Sequence, residues 1–181
     1  KIKMRHASGD DGLELCQLRT QAVDQSVRAM WAAILEELSE SDRNEMNRRV
    51  TVVAHGGYAR GEMTPGSDVD LMLLHDSTAV SDGPSLSAET TGPNDVFADV
   101  ARRLLQDLFD AGLEVGQSVR TIGEAVQLAS SDATIFSSLL EMRVLVGDVT
   151  RCQKLVKRLR VMSQRSRRKM ARLLVAARRE E

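Results

Sequence analysis

Apolar positions along this chain follow two periods, one helical and one of two residues. From Asp10 to Leu38 they recur at helical spacing, as Leu15, Leu18, Ala22, Val23, Val27, Met30, Trp31, Ile34, Leu35 and Leu38. That spacing predicts a long amphipathic helix with one buried face. Residues 39–49 are polar and charged and read as a short connector. Thr51 to Ala54 is β-branched and apolar, a strand that Gly56 and Gly57 end abruptly. Pro65 and Gly66 read as a turn, and a second strand opens at Asp68, with Val69, Leu71 and Leu73 on its core face. Residues 75–94 are rich in Ser, Thr, Gly and Pro and predict a mobile loop. A helix follows from Asp95, with Phe97, Val100, Leu104, Leu105, Leu108 and Phe109 on one face and Gly112 at its end. Residues 113–120 alternate: Leu113, Val115 and Val119 face the core, while Glu114, Gly116, Ser118 and Arg120 share the other face. Thr121 and Glu124 have capping-box spacing and start another helix. Asp132 caps the next, which carries Ile135, Phe136, Leu139, Leu140 and Leu145 and breaks at Gly147-Asp148. Residues 150–181 predict a basic helix, with Leu155, Val156, Leu159, Met162, Met170, Leu173 and Leu174 as its apolar stripe.

The chemistry concentrates between Val52 and Leu74. Asp68 and Asp70 are two residues apart, so a strand points both carboxylates to one face, roughly 6.6 Å apart at the backbone. Such a pair can converge on one or two divalent ions held about 4 Å apart. Gly56 and Gly57 lack Cβ atoms, so the backbone there can approach a ligand closely and present N–H donors. Phosphate oxygens on those donors and on the metal would bridge the two halves. Arg60 adds positive charge, and Ser67 adds a hydroxyl beside Asp68. Each half alone is a weak signal, since Gly-Gly after a strand is usually a turn and Asp-x-Asp usually a surface feature. Joined at this spacing, both attached to strands, they are specific. His55 reads as structural rather than catalytic, and Tyr58 as packing against the turn rather than stacking a base.

Gly56-Gly57, ten intervening residues and Asp68-Val69-Asp70 resemble the nucleotidyltransferase superfamily that includes DNA polymerase beta. The fuller string G-G-Y-A-R-G-E-M-T-P-G-S-D-V-D-L resembles the PII uridylyltransferase family in particular. That resemblance implies an α+β, polymerase-beta-like fold: a small mixed sheet, helices packed mainly on one face, a long leading helix and a C-terminal helical extension. The expected division is 1–48 as helical lead, 49–130 as nucleotidyltransferase core and 131–181 as helical extension. It implies Mg²⁺ or Mn²⁺ on Asp68 and Asp70, and phosphate contacts from Gly56, Gly57, Arg60 and Ser67. UTP is the implied donor, and a tyrosine of a PII-type signalling protein in nitrogen regulation the implied acceptor. Many superfamily members add a third carboxylate from a strand like residues 113–120. Glu114 is the candidate by face, with an exposed edge glutamate as the alternative. Family members often carry His where this chain has Gln117, which leaves position 117 without an assigned role. The string L-L-E-M-R-V-L-V-G-D, with Glu141 and Arg143, is also similar to the family. In the family more transferase sequence follows, and this chain ends in a charged stretch with no Gly or Pro stop. The chain is therefore expected to be truncated, binding nucleotide better than it transfers it.

Composition changes this picture in one respect. The 181 residues carry a net charge of −1, but residues 151–181 hold twelve Lys or Arg against two Glu, a net +10. The first 150 hold thirteen against twenty-four, a net −11. A basic tail opens a second function class, nucleic-acid binding or RNA-end modification. Aromatic residues make up only 3% of the chain, which argues against single-strand stacking. The tail's apolar stripe favours docking on the acidic body. A third reading is a nucleotide-binding domain without catalysis. No apolar run approaches the length of a membrane helix, and the first residues lack a signal core. Cys16 and Cys152 are isolated and read as buried reduced thiols, which fits a cytoplasmic protein.

Overall fold

The computed structural model describes residues 11–76, 95–168, 171, 172 and 175. The loop expected at 75–94 falls almost wholly outside the described residues, as do Met170, Leu173 and Leu174. Eleven elements follow in order: α1 (Gly12–Glu36), α2 (Glu40–Arg49), β1 (Val50–Ala54), α3 (Gly56–Arg60), β2 (Leu71–His75), α4 (Val96–Asp110), β3 (Gln117–Thr121), α5 (Ile122–Ala129), α6 (Ala133–Leu140), β4 (Arg143–Val146) and α7 (Val149–Arg165). The helix starts rest on side-chain caps, each satisfying an otherwise orphaned N–H. Asp11, Asp95, Asp132 and Asp148 cap α1, α4, α6 and α7. Thr121 and Glu124 make the expected capping box.

The four strands form one mixed sheet in the order β3-β2-β1-β4. β1 pairs antiparallel with β2 and β4, and β2 pairs parallel with β3. The α+β class with a small mixed sheet is thus as expected. The helices, however, divide between the two faces instead of gathering on one. Val52, Ala54, Leu71 and Leu73 pack against Val23, Val27 and Trp31 of α1 and Val100, Leu104 and Leu108 of α4. Val53, Met72 and Leu74 point the other way, onto Ala125 and Ala129 of α5, Phe136 and Leu139 of α6, and Cys152, Leu155 and Leu159 of α7. Both faces of β1 are buried, so it reads as a run of apolar residues rather than an alternation.

Local differences from the sequence reading have local causes. Residues 40–49 are a helix, not a connector. Only Met46 is buried there, so no apolar period announces it. Ser39 accepts from Asp42 N, Glu40 and Asp42 sit in the first turn, and Arg48 and Arg49 in the last, all matched to the helix dipole. The helix ending at Leu140 does not run on to Gly147. Val144, Leu145 and Val146 are β-branched or apolar and pair with β1 as an edge strand. Gly147 has φ +94°, and a Cβ there would lie 2.5 Å from Val50 O, so the chain can leave that strand only through glycine. Phe109 is 56% exposed rather than on the buried face of α4. Cys152 is buried, and Cys16 half-buried.

The basic α7 docks, as its apolar stripe predicts. Leu155 and Leu159 are fully buried. Arg151, only 5% exposed, donates to Asp76 Oδ2 from Nε at 3.0 Å and Nη2 at 2.8 Å, and from Nη1 to Thr51 Oγ1 at 3.3 Å. A second ion pair binds the leading helix to the rest. Asp24 of α1 is 8% exposed and accepts from Arg143 Nη1 at 2.5 Å, Arg143 Nη2 at 3.0 Å and the Tyr58 hydroxyl at 2.8 Å. Arg143 also donates to Ala59 O and lies 5.5 Å above the Tyr58 ring. Burial, then the bond to Asp24, pushes the Tyr58 phenol far above its ordinary range and keeps it protonated.

Removing Asp24 would strand a half-buried guanidinium and a buried phenol. We expect Asp24→Ala to lower unfolding free energy by about 2–3 kcal/mol. Tyr58→Phe, which leaves the ion pair intact, should cost about 1 kcal/mol. Urea denaturation checks both. Equal losses would show that the ion pair adds nothing beyond the phenol bond.

Candidate functional site

The acidic pair stands where β2 begins rather than within it. Val69 N donates to Glu114 O at 2.7 Å and Leu71 N to Gly116 O at 2.9 Å, so the parallel pairing with the approach to β3 runs on past the assigned strand ends. The backbone is therefore extended, Val69 is fully buried, Asp68 exposed and Asp70 half-buried. Continuing the register of Leu71 with Gln117 sets Asp70 level with Gly116 and Asp68 level with Glu114. Glu114 is exposed. Among the described residues no three His, Cys, Asp or Glu side chains group closely enough to hold a metal by themselves.

Asp70 is clamped between two glycines. A Cβ on Gly56 would lie 2.7 Å from its Oδ2, and one on Gly116 would lie 2.9 Å from its Oδ1. Gly56 also has φ +59°, so backbone and neighbour both exclude a side chain. Gly57 differs: the nearest atom to a Cβ there is Arg60 Nη2 at 4.0 Å. Its missing side chain leaves open space above the chain. The glycine turn continues as the short helix α3, closed by Gly61 at φ +78°. Tyr58 packs inward, as expected, and is 1% exposed.

A cavity of about 1030 Å³ opens beside Asp70, on the sheet face that carries Met72 and beneath α5 and α6. Gly56, Gly57, Arg60 and Asp70 line it, and Asp68, Ser67 and Glu114 do not. The Ser67 hydroxyl is engaged in its own turn, with Thr64 N at 2.9 Å and Thr64 Oγ1 at 2.8 Å. Arg60 is not a free cation. Its Nη1 donates to Glu141 at 2.7 Å and its Nε to Glu62 at 2.7 Å, and these bonds, Glu141 first, raise its pKa.

His55, Gly116, Ser118, Arg120 and Ser138 are lining residues that sequence reasoning left without a role. Gly116 carried a readable signal, because a glycine inside an alternating strand marks a close approach. His55 N donates to Asp70 O at 3.1 Å, and its Nδ1 lies 2.8 Å from Ser138 Oγ, which holds α6 against the glycine turn. Burial lowers the imidazole's pKa, with Asp70 pulling the other way. Burial raises the Asp70 carboxyl, His55 opposes that, and the Asp68 carboxylate adds to it. Neither Asp68 nor Asp70 joins a salt bridge among the described residues. Asp70 therefore faces the cleft, with Asp68 exposed beside it, and neither carboxylate is neutralised by a salt bridge among the described residues.

That arrangement falls within a known class. Residues 33–125 match the family model described as "Nucleotidyltransferase domain", and the chain belongs to that family. Among full proteins it is similar to the "Bifunctional uridylyltransferase/uridylyl-removing enzyme" of Pseudomonas fluorescens (strain SBW25), with 36% identity over 143 residues, covering 79% of this chain and 13% of that protein. The protein of the same name from Bradyrhizobium sp. (strain ORS 278) is 36% identical over 135 residues, covering 75% of this chain and 13% of its own length. That of Aromatoleum aromaticum is 34% identical over 148 residues, covering 82% and 14%. The chain thus spans about one-seventh of the length of these relatives.

The two glycines separate by experiment. Gly56→Ala forces a Cβ onto the Asp70 carboxylate in a left-handed backbone, which alone costs about 1–2 kcal/mol, so the melting temperature should fall. Gly57→Ala meets only the Arg60 side chain, at an ordinary contact distance of 4.0 Å, and should leave the melting temperature unchanged while weakening nucleotide binding by calorimetry. A large stability loss in Gly57→Ala with intact binding would reverse these assignments.

Proposed function

We propose that this domain transfers a nucleoside monophosphate, UMP from UTP, to the hydroxyl of a tyrosine on a PII-type signalling protein, with Mg²⁺ or Mn²⁺. The observation that carries the reading is the clamped Asp70. Its carboxylate is fixed between Gly56 and Gly116 at the mouth of a nucleotide-sized cavity, with Asp68 beside it on the same face. The name shared by the relatives supports uridylyl transfer in particular.

Two carboxylates free of salt bridges among the described residues fit a hard divalent cation, whose remaining oxygens would come mainly from triphosphate and water. Asp68 and Asp70 would hold it, and Glu114, level with Asp68 on the neighbouring strand, would be the candidate for a third carboxylate. When bound, the cation neutralises the phosphates and stabilises charge on the leaving pyrophosphate. The chain's own part is positioning. Gly57, whose missing side chain leaves open space, would give the β and γ phosphates room beside the start of α3. Gly56 and Gly116 leave the room that the Asp70 carboxylate occupies, from where it would help orient the bound triphosphate. Arg60, balanced by Glu62 and Glu141, serves the cleft rim by tying α3 to the end of α6. Ser67 shapes the turn that delivers Asp68.

The test is transfer of labelled UMP from UTP to a PII-type protein in the presence of Mg²⁺. We expect Asp70→Asn and Asp68→Asn each to lower transfer roughly a hundredfold or more. Asp70→Asn should melt at the same or a higher temperature, because burial and Asp68 both disfavour the native charge. Transfer by Asp70→Asn at the wild-type rate would remove the acidic pair from the chemistry.

A further inference from the structure

We propose that Arg120 determines base specificity by donating hydrogen bonds to a keto oxygen of the nucleobase. This deepens the nucleotide reading of the cleft and rests on it. Arg120 lines the same cavity as Asp70. Among the described residues its buried Nε has no hydrogen-bond partner, and its one bond runs from Nη1 to the adjacent Val119 O at 3.0 Å. No carboxylate pairs with it among the described salt bridges, whereas Arg60, the other arginine lining the cavity, is taken up by Glu62 and Glu141. Arg120 is therefore a guanidinium in a cleft wall with donors to spare, and a buried donor left unpaired is costly.

Its position selects the base rather than the phosphates. Arg120 pairs with Leu74 and Ser118 with Met72, while Gly116 stands level with Asp70. Four positions along a strand pair place Arg120 about 13 Å from Asp70 at the backbone. Gly56, Gly57, Gly116 and Asp70 occupy one end of the cavity. Met72, Ala125 and Leu128 give the wall between them an apolar surface. A nucleotide anchored by its phosphates at Asp70 runs its base along that wall, toward Arg120. An uncharged planar ring suits the apolar stretch, and its polar edge meets the guanidinium.

The chemistry of the guanidinium sets the preference. It only donates, with five N–H groups in a rigid fork. The O4 of uracil and the O6 and N7 of guanine accept from such a fork, and the N4 amino group of cytosine presents donors against it. Arg120 thereby favours keto bases over amino bases, and UTP over CTP.

Calorimetric titration with Mg²⁺ tests this, using UTP, CTP and inorganic tripolyphosphate on the wild type, Arg120→Met and Arg120→Lys. The wild type should bind UTP roughly tenfold tighter than CTP. Arg120→Met should lose that preference through weaker UTP binding, with CTP changed less than twofold and tripolyphosphate unchanged. Arg120→Lys keeps the charge without the fork, so it should retain tripolyphosphate binding and lose most of the preference. Equal weakening of all three ligands in Arg120→Met would make Arg120 a phosphate ligand and overturn the proposal. So would a preference that survives both variants, or a wild type that binds UTP and CTP alike. Tripolyphosphate that binds while base preference fails leaves the nucleotide reading standing and rejects Arg120 alone. A wild type that binds none of the three rejects both.

Discussion

One buried carboxylate, Asp24, connects the parts of the molecule that must stay aligned. It joins α1 to the arginine of β4 and to the phenol of α3. Those three elements lie far apart in sequence, and α3 carries the glycines that form the cleft mouth. An ion pair exposed to water would contribute little to such a connection. This one is largely desolvated and reinforced by the Tyr58 hydroxyl, so losing either partner leaves the others unsatisfied. The leading helix is thus more than a lid on the sheet. It sets the position of the turn that would meet the phosphates.

A similar logic governs the opposite face. Arg151, deep at the base of α7, reaches Asp76 at the end of β2 and Thr51 in β1. The charge asymmetry between an acidic body and a basic tail is therefore partly resolved inside the fold, where the tail begins. Further along α7, Lys154, Lys157 and Arg158 surround a shallow apolar groove with Val161 and Met162.

Much of this was legible in the sequence, and the reasons differ by element. Long periodic segments announced themselves: α1, α4 and α7 through their apolar stripes, and α5 and α6 through their capping residues. The acidic pair and its glycines were readable because both halves of the motif attach to strands at a diagnostic spacing. α2 was not, because a helix with one buried residue has no period to detect. β4 was not, because a four-residue segment with three apolar side chains fits a helix end as well as an edge strand, and pairing with β1 decides between them. Within the site, the roles of Gly56 and Gly57 could not be told apart from sequence, since only three-dimensional proximity to Asp70 separates them. Arg60 read as a free cation because Glu141, eighty-one residues away, lies beside it only after folding.

The placement of the aromatic residues has a spectroscopic consequence. The chain holds one tryptophan and one tyrosine. Trp31 is 3% exposed in the core between α1 and the sheet, on the face away from the cavity. Its emission therefore reports whether the leading helix is seated, and is insulated from a ligand lying against Met72 and Ala125 by the thickness of the sheet. A fluorescence titration that shifts the tryptophan signal would register movement of α1 itself, transmitted through Asp24 and Tyr58, and would give an optical readout of coupling between the two faces.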